Sequence, residues 1–271
     1  MQNKLIAPIA IVLLIMPLLA CGLLRHGASY KWHLVLEVDP AAPNREAATT
    51  ETVDVLNSRL EKLGVNGFRV SIVGAPKDGR VRVDLPDVAD KERFKNFIAA
   101  RGSLQLVHAV SDPSPAPCKT YQTETEAKSA IAPGLDRKAL PYANSSDSSS
   151  NNERRWVVVE SSPIIDGRDI KTASAVPSPV QLRGVTTYEI NFTLKSEAAK
   201  KFGAWTAANI NQYIGVVLND EVKSTAFIKS QIFDTGQISG RFSKEAAEDL
   251  AKILMSGPLP AAVKIVEEGQ N

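Results

Sequence analysis

The sequence predicts an α+β fold: two βαββαβ units joined by a flexible linker, behind an N-terminal membrane anchor or signal. Three observations predict it. Apolar residues recur with period two in short runs and at spacings of three and four in longer ones. Over 32–110 these runs follow the order strand, helix, strand, strand, helix, strand. The same core order returns over 155–268, with no obvious sequence repeat between the halves. Between them, 111–154 holds DPSPAP and PYANSSDSSSNNE, compositions that suit a linker.

The chain opens with MQNKLIAPIAIVLLIMPLLACGLL, in which Lys4 is the one charged side chain and Leu5 to Leu24 is an uncharged run of 20 residues. Two readings stand. A basic start, an apolar middle and a small residue before the cut describe a secretory signal over 1–20. A run of about 20 apolar residues also suffices for an uncleaved membrane helix, and such helices tolerate residues like Pro8 and Pro17. Residues 21–31 are then a tether. Leu18-Leu19-Ala20-Cys21 resembles the lipobox of bacterial lipoproteins, which implies Cys21 as a lipidation site. Both readings put the bulk of the protein on the extracytoplasmic side, held at its N-terminus.

In the first unit, Trp32, Leu34, Leu36 and Val38 alternate with His33, Val35 and Glu37, a strand ended by Asp39-Pro40. Val53, Leu56, Leu60 and Leu63 predict a helix over 50–63, stopped by Gly64. Strands over 68–73 and 81–85 meet across Lys77-Asp78-Gly79. Asp90 caps a helix that turns Phe94, Phe97 and Ile98 inward. A strand over 104–110 completes the split βαβ, or ferredoxin-like, pattern.

Within the linker a short helix is expected over 124–132. In the second unit, strands are expected over 156–160, 214–218, 222–228, 237–242 and 263–267, and 164–173 holds a turn at Asp166-Gly167. Tyr188, Ile190, Phe192 and Leu194 form the clearest alternation of the chain. Ser196 is read as the cap of a helix that buries Ala198, Phe202 and Trp205. Ser243 opens a helix that buries Ala247, Leu250, Ile253 and Leu254, closed by Gly257-Pro258. Both units leave edge strands, and an open edge is a template for a partner chain.

With 271 residues and 44% hydrophobic content, the chain can build one large or two small cores. A net charge of +2 gives no electrostatic footprint for nucleic acid. Cys21 and Cys118 are the two cysteines; with Cys21 in the leader, Cys118 reads as an exposed, functionally silent thiol, and no disulfide framework is possible. His26, His33 and His108 are isolated and lack metal-ligand spacing. Asp84, Asp87 and Asp90 read as a solvated turn with a helix cap. No GxxxxGK[ST] or GxGxxG loop occurs. No catalytic, metal or cofactor-binding residue is assigned, and the protein is expected not to be an enzyme.

Several segments, in order, resemble the first periplasmic domain of SecD, the membrane subunit that assists bacterial protein export. They are HLVLEVD (33–39), TVDVLNSRLEKLGV (52–65), RVRVDLP (80–86) and FKNFIAARGSLQL (94–106). In the second half come PIIDGRDIKTASA (163–175), TLKSEAAKKF (193–202), residues 214–228, and the closing GQISGRFSKEAAEDLAKILMSGPLPAAVKIVEE (236–268). The resemblance implies a base near the membrane, assigned to 32–110, and a mobile head, assigned to 155–268. It implies as partners the Sec translocon (SecYEG, SecDF) and unfolded preprotein, no cofactor, and a periplasmic location. GLLRHGASYKW before the first strand departs from the family's glycine-rich lead. The family's channel helices would follow Asn271, so the expectation is an accessory in Sec-dependent export without the proton-driven cycle. The alternative is a diverged envelope lipoprotein that uses the fold as a scaffold or ligand-binding module.

Overall fold

The computed structural model describes residues 30–114, 117–142, 155–179 and 186–271. The leader 1–20 and Cys21 lie outside the described residues. In chain order the elements are β1 (Trp32–Val38), α1 (Arg45–Leu63), β2 (Arg69–Ile72), β3 (Arg80–Leu85), α2 (Lys91–Ala99) and β4 (Leu104–Ala109). There follow α3 (Glu124–Ser129), β5 (Arg137–Tyr142), β6 (Arg155–Glu160), β7 (Ile165–Asp166), β8 (Ile170–Pro177) and β9 (Tyr188–Leu194). The last six are α4 (Ser196–Ala208), β10 (Tyr213–Leu218), β11 (Glu221–Phe227), β12 (Thr235–Phe242), α5 (Lys244–Ser256) and β13 (Val263–Gln270).

The first sheet runs β13-β1-β3-β2, with every neighbouring pair antiparallel. Its inner face buries Trp32, Leu34, Leu36, Val81, Val83 and Leu85 against Leu56 and Leu60 of α1 and Phe94, Phe97 and Ile98 of α2. α1 begins at Arg45, before the expected start at residue 50, because the Asn44 side chain accepts a bond from Ala47 N at 3.1 Å. Gly64, at φ 75°, ends it. Asp90 caps α2 by accepting from Arg93 N at 2.9 Å.

The expectation of two self-contained units needs correction. β4, expected as the fourth strand of the first unit, leaves that sheet, and β13 takes the place beside β1. Burial explains the exchange. β4 is apolar on both faces: Leu104 and Leu106 enter one core while Val107 and Ala109 enter another. Such a strand is at home where both faces are covered. β13 turns Val263 and Ile265 toward the first core and leaves Lys264 and Glu267 exposed, a pattern that suits an edge.

The second sheet closes on itself. β4 pairs with β10, β10 with β11, β11 with β5, β5 with β6, and β6 again with β4. The resulting five-stranded barrel encloses Val107, Ala109, Cys118, Leu140, Val157, Val159, Tyr213, Val217 and Val222. The stretch 111–154, expected as a linker, supplies part of it. Within its described residues it carries α3, near the expected 124–132, and β5, which pairs with β6 from Arg137↔Glu160 to Tyr142↔Arg155. Thr123 and Glu126 form a reciprocal capping box at α3.

The third sheet, β12-β9-β8, packs against α4, α5 and the outside of the barrel. Ile190, Phe192, Leu194 and Ile238 meet Phe202, Ala251 and Leu254 there, and Ile214, Val216 and Leu218 arrive from β10. Residues of the expected second unit are therefore shared among three sheets. Ser196 is the first residue of α4 and not its cap; Lys195 holds the cap position without a side-chain bond. Ser243 caps α5, accepting from Ala246 N at 3.2 Å.

Candidate functional site

The chain crosses between the first sheet and the rest of the molecule twice, at Arg101–Ser103 and at Gly257–Leu259. The crossings touch: Leu259 N donates to the Arg101 carbonyl at 2.9 Å. Gly102 at φ 67° and Gly257 at φ 85° make the two bends in a backbone region that favours glycine. A Cβ on Gly102 would collide with Ile253 and sit 3.2 Å from Arg59 Nη2.

Arg59 organises this junction. It is fully buried and donates from Nη1 to the carbonyls of Ile98 at 2.7 Å and Phe97 at 3.3 Å, and from Nη2 to that of Arg101 at 3.4 Å. The carbonyls of Phe97 and Ile98 lie in the last turn of α2, where a helix favours a cation, and that of Arg101, which also accepts from Leu259 N, lies just beyond it. Burial pulls its pKa down to about 10, and its Nε has no partner among the described residues. A signal for Arg59 was present in the sequence: it sits three residues after Leu56 on the apolar stripe of α1, where no charge is expected.

Three further ties hold the junction. Asn219, at φ 53° in the β10–β11 turn, exchanges two bonds with Ser103, at 2.8 and 3.0 Å. Arg101 pairs with the neighbouring Asp220. Arg93 of α2 grips Asp249 of α5 with two bonds, at 2.8 and 2.9 Å. α5 itself lies in two cores, with Ile253 in that of the first sheet and Ala247, Ala251 and Leu254 in that of the third. Beside it lies a crevice of about 390 Å³, lined among others by Glu51 and Asp54 of α1 and by Arg168 and Lys195.

The histidines are engaged separately. His33 lies against Asn271 Oδ1 at 2.8 Å and Glu267 Oε1 at 3.2 Å, and His108 against Glu160 Oε1 at 3.0 Å. Among the described residues no three His, Cys, Asp or Glu are grouped to hold a metal ion. Asp84 departs from the solvated turn expected of it. It is buried between Arg69 and Arg82, each at 2.8 Å. Burial opposes its charge, but bonds and charges from the two guanidinium groups outweigh that and hold the carboxyl below its ordinary range. Cys118 is also not exposed: it lies in the barrel core, and burial pushes its thiol up to about 11. No helix among the described residues is long and apolar enough to cross a membrane.

Comparison with known proteins bears on this arrangement. Residues 142–261 match the family model of the SecDF P1 head subdomain. The chain is 38% identical over 224 residues to protein translocase subunit SecD of Aquifex aeolicus, covering 83% of this chain and 40% of that one. It is 30% identical to SecD of Koribacter versatilis, over 83% and 39%, and 30% identical to SecD of Elusimicrobium minutum, over 90% and 51%. The chain thus spans between 39% and 51% of the length of these relatives. A structure of SecDF, described as a membrane component that enhances protein export, shares the fold with a TM-score of 0.62 at 24% identity, over 87% of this chain and 98% of that one. SecDF in its super-membrane-facing form gives a TM-score of 0.64 at 24% identity, over 89% and 30%.

Proposed function

The chain carries a SecD-type periplasmic domain, and on that premise we propose that it is a non-enzymatic, membrane-tethered accessory of Sec-dependent protein export. It binds a translocating preprotein, or the translocon itself, on the extracytoplasmic side. The observation that carries this reading is the 38% identity to SecD over 83% of the chain. The tether is the N-terminal apolar segment, with Cys21 as the site of lipidation.

In this reading the first sheet with α1 and α2 is the base, and the barrel with the third sheet is the head. The double crossing supports that division. Two touching connections, a helix shared by two cores and the Arg93–Asp249 pair constrain how one part can lie against the other.

Crosslinking in membranes tests the reading. A photoreactive residue at Phe233, 65% exposed on the head, and another at Val73 on the base should capture a stalled secretory precursor or a Sec subunit. Capture of neither, with a control crosslink intact, overturns it. For the tether, Cys21→Ser should change gel mobility and release the protein from membranes; unchanged behaviour in both removes lipidation.

A further inference from the structure

β13 is an edge of the first sheet: β1 bonds one side, and among the described residues no strand pairs with the other. α2 runs alongside. Between helix and strand lies a groove of about 580 Å³, lined by Asn96 and Ala99 of α2 and by Val263, Ile265 and Val266 of β13. A helix beside a free strand edge is the geometry in which an extended chain is bound as an added strand. Main-chain groups of the edge supply the hydrogen bonds, and alternate side chains enter the groove.

The spacing of the walls is set before anything binds. Lys95 Nζ reaches Glu92 at 2.6 Å and Glu268 at 3.0 Å, so one ammonium joins α2 to β13. Trp32 Nε1 adds a bond to Glu268 at 3.2 Å. Glu92, Glu267 and Glu268 share the lining with Lys95 and Lys264, charges of both signs that select neither an acidic nor a basic segment.

A second copy of the protein is a poor occupant. Opposite the register shift between Val35 and Leu36, Val266 is an extra residue with no partner on β1. Bulges and edge lysines such as Lys264 disfavour sheet-to-sheet pairing. α2 also stands beside the edge where a second sheet would have to lie. A single extended segment brings no second sheet against α2 and can pair with the regular run Val263–Ile265 ahead of the bulge.

We propose that the groove between α2 and β13 takes an unfolded polypeptide segment as an added strand, read through its main chain. This rests on the export reading above and gives it a binding surface on the base. A segment of alternating small apolar and uncharged polar residues suits the Ala99, Val263 and Ile265 floor.

The test uses the full chain in detergent and a fluorescent, end-capped peptide of about ten residues, alternating Val and Thr. Its control carries N-methyl groups at every second residue, which removes the main-chain donors of one edge. Binding of the plain peptide should be at least about ten-fold tighter than that of the methylated one. Ala99→Trp and, separately, Asn96→Trp fill the groove from the helix and should abolish the difference, with circular dichroism unchanged. Val73→Trp, outside the groove, should leave it intact. Equal binding of both peptides, or binding untouched by both groove-filling variants, overturns the proposal. So does a dimer in sedimentation that Val266→Lys dissolves. Peptide binding as described, without any crosslink to Sec subunits or precursors in membranes, upholds the groove and sinks the export reading alone.

Discussion

Arg59 Nη1 donates to the carbonyl of Ile98 at 2.7 Å, across 39 positions of sequence. The bond ties the C-terminal part of α1 to the end of α2, at the point where the chain leaves the first sheet. Arg59→Ala removes the side-chain donor from the carbonyls of Phe97 and Ile98 and opens a cavity, and should cost about 3 kcal/mol. Arg59→Lys keeps the charge but not the planar fork, and should cost about 1–2 kcal/mol. Urea unfolding measures both. A loss below about 0.5 kcal/mol for the alanine variant would remove Arg59 from the junction.

Gly102 makes a second prediction. Its φ of 67° disfavours any side chain, and a Cβ would strike Ile253. Gly102→Ala should cost about 2–3 kcal/mol, the backbone strain and the collision together. In Gly102→Ala/Ile253→Ala the collision is relieved and the strain is not. The double variant should therefore be about 1 kcal/mol more stable than the sum of the single effects predicts. Strict additivity would show that the two residues do not meet.

Asp84 links stability to acid. Its carboxyl is held below its unfolded value in the folded protein. The stability it contributes is present above the unfolded pKa and is lost as pH falls through the lower folded value. Wild type should thus weaken as pH drops below about 4, and Asp84→Asn should be less stable at neutral pH with a flatter acid limb. Parallel limbs for the two proteins in pH-dependent denaturation would contradict the assignment.

Cys118 reports on the barrel. With its thiol raised to about 11 and its side chain buried, it should react with a disulfide reagent at pH 8 at least ~10-fold more slowly in the native protein than in urea. A Cys21→Ser background isolates the signal. Native labelling at the unfolded rate would mean that the barrel core is open to solvent.

Much of the local structure was legible. The alternation of Tyr188, Ile190, Phe192 and Leu194 became β9, and Ser243 caps α5 as its position before an apolar stripe suggested. Asn44 was missed because the polar first turn of α1 carries no apolar stripe to mark the helix behind its cap. β5 was missed because RKALPY shows neither strict alternation nor a clear apolar run, and its pairing with β6 is what makes it a strand. Arg59 was passed over because a charge on an apolar stripe has no local meaning. Its partners are carbonyls freed by the end of a different helix.

By itself the sequence determined which segments alternate, which helices have an apolar stripe, and which export family the chain resembles. Only the tertiary structure decided that β4 leaves the first sheet, that β13 replaces it, and that five strands close a barrel around Cys118. Period-two alternation states which face of a strand is buried and does not name the neighbour that bonds its edges. The entropy of bringing distant strands together grows by only about 0.6 kcal/mol for each doubling of the loop. Chain separation therefore chooses weakly between β4 and β13 as partner for β1, and the burial of one face or two makes the choice.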